Sequence, residues 1–210
     1  MSYTIIENFL PPSIQDTLEQ IFQYDTKWNY VSVTTGIEGV DFDKDLPIKE
    51  CPQLIHTSVF NAELSDSFGL TRLVLNFLES ATGCKIGDIH KIKTNMNLKD
   101  PSFKDIYHPP HMDHKSTEYF TLIYYIKDSD GPTRIFNKSA TDAQPYNNLK
   151  VIGEVHPKKG TALLIKSNRL HTGTCPIESE NRLVINYVFK AENLSLDIKT
   201  PTPPTIRYIA

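Results

Sequence analysis

The residues best suited to chemistry lie in one short stretch, His108-Pro109-Pro110-His111-Met112-Asp113-His114. His111 and Asp113 are two positions apart, and on an extended strand such residues point to the same face. An imidazole beside a carboxylate suits a hard or borderline metal such as Fe(II). The pair alone says little. With 7 His and 14 Asp in 210 residues, chance places about half an H-x-D in such a chain. A second histidine, His171, lies in Ser167-Asn168-Arg169-Leu170-His171-Thr172-Gly173, just after an apolar run at 161–166. Two histidines and one carboxylate on one side of a metal leave open positions for co-substrate and oxygen. Eleven residues beyond His171, Arg182 opens the run 182–189. Arg182, Val184, Asn186 and Val188 share one face by the two-residue period. An arginine heading that face is costly unless it meets an anion, and its planar fork suits a carboxylate.

The elements that must hold these residues can be read from periodicity. Residues 3–6 read as a short strand, and 8–13 as a turn with Ser13 as N-cap of a helix carrying Ile14, Leu18, Ile21 and Phe22. Residues 28–33 read as extended. The polar stretch 35–52, with Gly36, Gly39, Asp41, Asp43 and Asp45, reads as a solvated loop. It resembles the start of a calcium loop but lacks the glycine and terminal glutamate in register. A helix is expected over 61–80, with Leu64, Phe68, Leu73, Val74, Phe77 and Leu78 on one stripe and Gly83 as its stop. From residue 85 the period shortens. Extended segments follow at 85–98, 118–127, 133–136, 150–155, 161–166 and 182–190, divided by turns at 129–132, 157–160 and 167–168. Leu122, Tyr124 and Ile126 alternate with Thr121, Ile123 and Tyr125, so that strand needs cover on both faces. The two helices can cover one of them. The expected architecture is one domain, 1–210, mainly β with flanking α-helices. Residues 1–84 support a β core at 85–192, and 193–210 form a proline-rich tail.

Composition narrows the class. A 39% apolar content with ten Phe and ten Tyr can furnish a core, and a net charge of −3 gives no pointer to nucleic acid or an acidic membrane. Cys51, Cys84 and Cys175 are odd in number and widely spaced, which suits a reduced, cytoplasmic protein. Neither a leader peptide nor a membrane span is visible.

The order H-x-D, about 60 residues, His, about ten residues, Arg resembles the Fe(II)- and 2-oxoglutarate-dependent oxygenases, whose core is a double-stranded β-helix (jelly roll, cupin-like). The prolyl 4-hydroxylase-like branch is the nearest in pattern. Its paired strands are similar to Thr121-Leu122-Ile123-Tyr124-Tyr125-Ile126 followed by 130–136. The likeness covers roughly 91–189. It implies His111, Asp113 and His171 as Fe(II) ligands and catalytic centre, and Arg182 with the Tyr125 hydroxyl on the far carboxylate of 2-oxoglutarate. O2 would be the oxidant, ascorbate a further candidate cofactor, and succinate and CO2 the co-products. The substrate it suggests is a peptidyl, prolyl-like residue or a small polar molecule.

Two departures stand out. The branch's tyrosine on the strand before H-x-D is replaced by Lys91-Ile92-Lys93-Thr94-Asn95-Met96-Asn97, where Asn95 or Asn97 can serve as donor to the co-substrate. The paired glycines become Asp130-Gly131-Pro132, a change expected to affect only the turn. His108 and His114 are expected beside the site or in solvent, and His56, His90 and His156 at the surface. Cys175 and Arg169 receive no role. Residues 99–110 and 137–148 are expected to form mobile loops at the mouth. Two other readings remain: a cupin-like metalloenzyme without 2-oxoglutarate, and a metal-free binding barrel. Only the oxygenase needs a carboxylate anchor.

Overall fold

The computed structural model describes residues 3–33, 35, 42, 45–144 and 146–197. The order is β1 (Tyr3–Ile6), α1 (Pro12–Gln20), a π-helical turn (Ile21–Asp25), β2 (Asn29–Val31), β3 (Gln53–Phe60), β4 (Glu63–Leu64) and α2 (Phe68–Thr82). Then come β5 (Lys85–Leu98), β6 (Tyr119–Tyr125), β7 (Thr133–Ser139), β8 (Val151–Val155), β9 (Ala162–Lys166), β10 (Arg169–Thr172) and β11 (Asn181–Glu192). The larger sheet runs β1-β9-β6-β11-β5-β3-β2, with β4 beside β3; the smaller runs β10-β7-β8. Neighbouring strands pair antiparallel. Among the described residues no helix is long and apolar enough to cross a membrane.

The two-faced strands explain the layers. On the outer face of the larger sheet, Leu122, Tyr124, Leu164, Leu183, Ile185 and Tyr187 pack with Leu18 and Phe22 of the first helical segment and Val74, Leu75 and Leu78 of α2. The alternate residues, Ile123, Tyr125, Leu163, Ile165 and Val184, turn inward to meet Ile135 of β7 and Val155 of β8. Side chains alternate across a strand, so β6, β9 and β11 each serve two cores. The result is the expected jelly roll, with a helical layer outside the larger sheet and a cavity between the sheets.

Several local expectations are corrected. Ser13 is not the N-cap: α1 begins at Pro12, with Pro11 at the cap and no side-chain cap bond. Proline's fixed φ and missing N–H fit a first turn without a hydroxyl cap. The helix expected from residue 61 starts at Phe68. Asn61 and Ala62 have φ of 49° and 65° and turn β3 into β4, which leaves Leu64 60% exposed. Gly83 closes α2 as expected, at φ 69° with its N–H on the Glu79 carbonyl. Strand β3, which has no clean alternation, and the short β10, which carries His171, are additions to the sequence pattern. Of the tail, Leu194 and Leu196 pack on the outer core; residues 198–210, like Gly36, Gly39, Asp41 and Asp43, lie outside the described residues.

Candidate metal and co-substrate site

The H-x-D segment and β10 are joined by a reciprocal backbone pair: His111 N–H donates to the His171 carbonyl and His171 N–H to the His111 carbonyl, both at 3.0 Å. This bridge sets the two rings 4.7 Å apart. His171 Nδ1 lies 3.0 Å from the Arg169 carbonyl and His111 Nδ1 lies 3.4 Å from the Pro109 carbonyl. An Nδ1–H donated to each carbonyl leaves each Nε2 with its lone pair free for a metal. His171 Nε2 is 3.3 Å from Asp113 Oδ2, and the ligating atoms of His111, Asp113 and His171 all lie within 4.8 Å of one another. The three expected residues are thus brought together on one wall of the cavity.

Asp113 is fixed from behind. Thr121 Oγ1 donates to Oδ2 at 2.9 Å, Asn186 Nδ2 donates to both oxygens at 3.2 and 3.3 Å, and Lys91 Nζ holds Oδ1 at 3.1 Å. Burial opposes its ionisation, but the Lys91 ammonium outweighs it, so the carboxyl sits well below the ordinary range. Burial, with His171 next, pushes His111 down to about 3, which keeps the imidazole neutral.

Arg182 enters the same cavity from β11 and is 5% exposed. Its Nε donates to the Gly131 carbonyl at 2.9 Å and an Nη donates to Thr133 Oγ1 at 2.7 Å. Burial lowers its pKa, and among the described residues no carboxylate pairs with it. Tyr125 is fully buried beside it and donates its hydroxyl to the same Thr133 oxygen at 2.9 Å. Thr133 lines the cavity and is a polar group that the sequence pattern did not single out. Gly131 and Gly173 let the chain approach the guanidinium: a Cβ at either would meet an Arg182 atom at 3.2 Å. The Asp130 departure does more than make a turn, because its carboxylate accepts the backbone N–H groups of Ile177, Glu178 and Ser179 on the way to Arg182.

Strand β5 forms another wall. Lys91, Lys93, Asn95 and Asn97 all line the cavity, as the two-residue period requires. Asn95 Oδ1, Asn97 Nδ2 and Asn186 Oδ1 are buried and lack a hydrogen-bond partner among the described residues. Burial, and then Lys91, bring Lys93 down to about 8. The cavity holds about 250 Å3, enough for a small organic acid.

The flanking residues fall elsewhere. His108 is 0% exposed, so it belongs neither to solvent nor to the triad cluster, and it meets Cys51 and Cys175. His114 packs against Tyr119 and His90. In the loop 99–110, Phe103, Tyr107 and His108 are buried, so this is a packed segment rather than an open flap. From 137–148, Tyr146 reaches the cavity.

No family model matches the sequence, and no curated protein matches it. Solved structures match in fold. The non-heme alpha ketoglutarate dependent epimerase SnoN from nogalamycin biosynthesis is 10% identical, covers 94% of this chain and 82% of its own, and has a TM-score of 0.59. An oxidoreductase of the 2OG-Fe(II) oxygenase family from Burkholderia pseudomallei is 14% identical over 95% of this chain and 88% of its own, at 0.58. A prolyl hydroxylase from Trichoplax adhaerens, in complex with a hypoxia inducible factor oxygen degradation domain peptide fragment, is 15% identical over 90% and 83%, at 0.56. The chain shares its double-stranded β-helix with the 2-oxoglutarate- and Fe(II)-dependent oxygenases.

Proposed function

We propose that the protein is an Fe(II)- and 2-oxoglutarate-dependent dioxygenase that hydroxylates a peptidyl, prolyl-like residue or a small polar substrate. The observation that carries this reading is Arg182: a buried guanidinium, without a carboxylate partner among the described residues, in the cavity that also holds the His111, Asp113, His171 cluster. In this reading His111 and His171 ligate Fe(II) through Nε2 and Asp113 through Oδ2, while Lys91 keeps Oδ1 occupied. Three nitrogen and oxygen ligands with open positions suit that ion. Arg182 holds the far carboxylate of 2-oxoglutarate, with the Thr133 hydroxyl beside it and Tyr125 orienting that hydroxyl. Within this set the charges balance, since a dication and Arg182 meet Asp113 and a dianion, and the positive charge of the lysines lining the cavity is left over. The unpartnered amide atoms of Asn95 and Asn97 face the co-substrate as hydrogen-bonding groups. Ile123 and Val184 exclude water from the space between. Iron with bound co-substrate supplies the oxidising chemistry, and the protein supplies geometry and dryness.

A cupin-like enzyme without 2-oxoglutarate has no use for a buried carboxylate anchor. Among structures with this fold are an epimerase and a carbocyclase, so the product needs its own measurement. The test is anaerobic titration of Fe(II) with and without 2-oxoglutarate, followed by the visible charge-transfer band of the chelate. A saturable band supports the reading; stoichiometric iron without any response to 2-oxoglutarate ends it. Mass spectrometry of a turned-over substrate then separates hydroxylation, which adds one oxygen atom, from epimerisation, which adds nothing.

A further inference from the structure

A second buried cluster lies apart from this site. Cys51 precedes β3, His108 lies in the segment that leads to His111, and Cys175 follows β10. All three are buried, at 6%, 0% and 2% exposure. The two sulfurs are 3.0 Å apart, and His108 Nε2 lies 3.9 Å from Cys51 Sγ and 3.7 Å from Cys175 Sγ. The other ring nitrogen, Nδ1, lies 3.4 Å from the Lys49 carbonyl. An Nδ1–H shared with that oxygen puts the lone pair on Nε2; Cys51 Sγ stands 3.8 Å from Nδ1, about as near as to Nε2. Metal-bound histidines characteristically give their second N–H to such a carbonyl. Phe103 packs on the imidazole at 4.9 Å, and Ile106 and Ile177 pack around the cluster.

We propose that Cys51, His108 and Cys175 bind a second metal ion, a borderline-soft dication of the Zn(II) class, separate from the H-x-D site. Ligand chemistry selects the ion, because two thiolates and an imidazole suit Zn(II) and contain no hard oxygen. Charge balance suits the burial: two thiolates and a neutral imidazole around a dication give a neutral centre, so no net charge is left in the core. Geometry is close to what the ion needs. Bond lengths of about 2.3 Å to sulfur and about 2.0 Å to nitrogen in a tetrahedron separate sulfur from nitrogen by about 3.5 Å and the sulfurs by about 3.8 Å. The sulfur–nitrogen distances, 3.9 and 3.7 Å, must shorten by about 0.2–0.4 Å, and the sulfurs must part by about 0.8 Å. Among the described residues the cluster has three ligands, and tetrahedral coordination leaves one further place. On binding, each S–H gives its proton to solvent and forms a sulfur–metal bond, and no electron is transferred.

The rival use of the same sulfurs is a disulfide, with two hydrogens lost to an oxidant and the sulfurs closing to about 2.05 Å. A disulfide draws nothing from the imidazole, whereas His108 Nε2 lies 3.9 and 3.7 Å from the two sulfurs, a spacing suited to a shared ion. The ion would also tie together three segments that frame the cavity, since His108 leads into His111 and Cys175 leads toward Arg182.

The test is Co(II) titration of the full chain, stripped of metal and kept reduced under anaerobic conditions. Only thiolate ligands give the intense near-ultraviolet sulfur-to-cobalt band, so cobalt at the nitrogen–oxygen site does not imitate it. The expected result is a band that saturates at about one equivalent, with about two protons released per ion bound, and that Zn(II) abolishes. It should persist in His111→Ala and vanish in Cys175→Ser, which separates this proposal from the iron assignment. If Cys175→Ser does not fold, the wild-type band and proton count decide alone. Absence of the band with both thiols free after denaturation overturns the proposal. So does a mass two hydrogens lower with neither Cys51 nor Cys175 reactive, which would establish the disulfide.

Discussion

A guanidinium buried to 5% exposure with no acid beside it among the described residues is expensive to keep, because a charge in low dielectric must be paired or hydrogen-bonded. The Gly131 carbonyl and Thr133 hydroxyl satisfy some of its donors and leave its charge uncompensated. Arg182→Ala should therefore abolish tight 2-oxoglutarate binding while iron is retained. Truncating one member of a buried charge pair costs ~3–5 kcal/mol, a loss of more than about a hundredfold in affinity measured by calorimetry. Thr133→Val, which keeps the shape and removes the hydroxyl shared with Tyr125, should cost about 1–3 kcal/mol. If Arg182→Ala binds 2-oxoglutarate as wild type does, Lys93 becomes the anchor to test. Single alanines at His111, Asp113 or His171 should each abolish stoichiometric Fe(II) binding, since three protein ligands leave no redundancy; iron retained in any of them removes that residue from the triad. At this scale His111, Asp113, His171 and Arg182 were legible from their order along the chain, which resembles the oxygenase pattern; strand periodicity aligned only Arg182 with Val184 and Asn186, since His111 and Asp113 lie outside the strands. Thr133 and Lys91 were not, because their importance comes only from which strand lies opposite.

Among the elements, the strands with apolar residues on both faces were readable, since nothing but a two-sided core accommodates Leu122 and Ile123 in succession. Strand β3 was hidden because its partner β5 is distant in sequence and its own pattern is mixed. The loop 99–110 was misread as mobile for a related reason: Phe103 and Tyr107 find their cover in other segments, Tyr107 against Phe136 at 5.7 Å. The turn before β7 shows how an element is fixed by one side chain. Asp130 accepts the backbone N–H groups of Ile177, Glu178 and Ser179 at 2.9 Å each, tying it to the segment that leads into Arg182. Burial opposes the charge, but those donors prevail and hold its carboxyl far below the usual range. A depressed folded-state pKa contributes stability that is complete above the unfolded value of about 4 and is lost as pH falls through the lower folded value. Asp130→Asn should thus lower Tm at neutral pH, and the gap from wild type should narrow as melts are taken at pH values progressively below about 4. A gap that stays constant across that range would mean the carboxylate charge is not what ties the turn.

The whole chain carries a net charge of −3, yet among the described residues the cavity is lined by Lys91, Lys93, Lys115 and Arg182 against the single acid Asp113. A metal dication and a co-substrate dianion cancel each other, and Asp113 cancels Arg182, so the lysines leave a positive mouth on an otherwise acidic molecule. Clefts of one sign raise the local concentration of the opposite sign and lose that advantage with salt. For the peptidyl substrate proposed above, this argues for acidic neighbours around the reacting residue. Proline peptides flanked by Asp or Glu should drive 2-oxoglutarate consumption with a lower KM than neutral ones, and that difference should shrink as ionic strength rises. Lys115, exposed at the rim, gives a direct check: Lys115→Glu should raise KM several-fold for the acidic peptide and leave kcat nearly unchanged. Hydrogen exchange with iron and co-substrate bound should slow around Tyr146 when the peptide is added, and stay unchanged in 99–110, which is already packed. Equal KM values for acidic and neutral peptides would remove charge from substrate selection. Turnover with a small carboxylated metabolite and with no peptide would keep the charge argument and replace the peptide, because the same lysines can hold a free carboxylate in a 250 Å3 cavity.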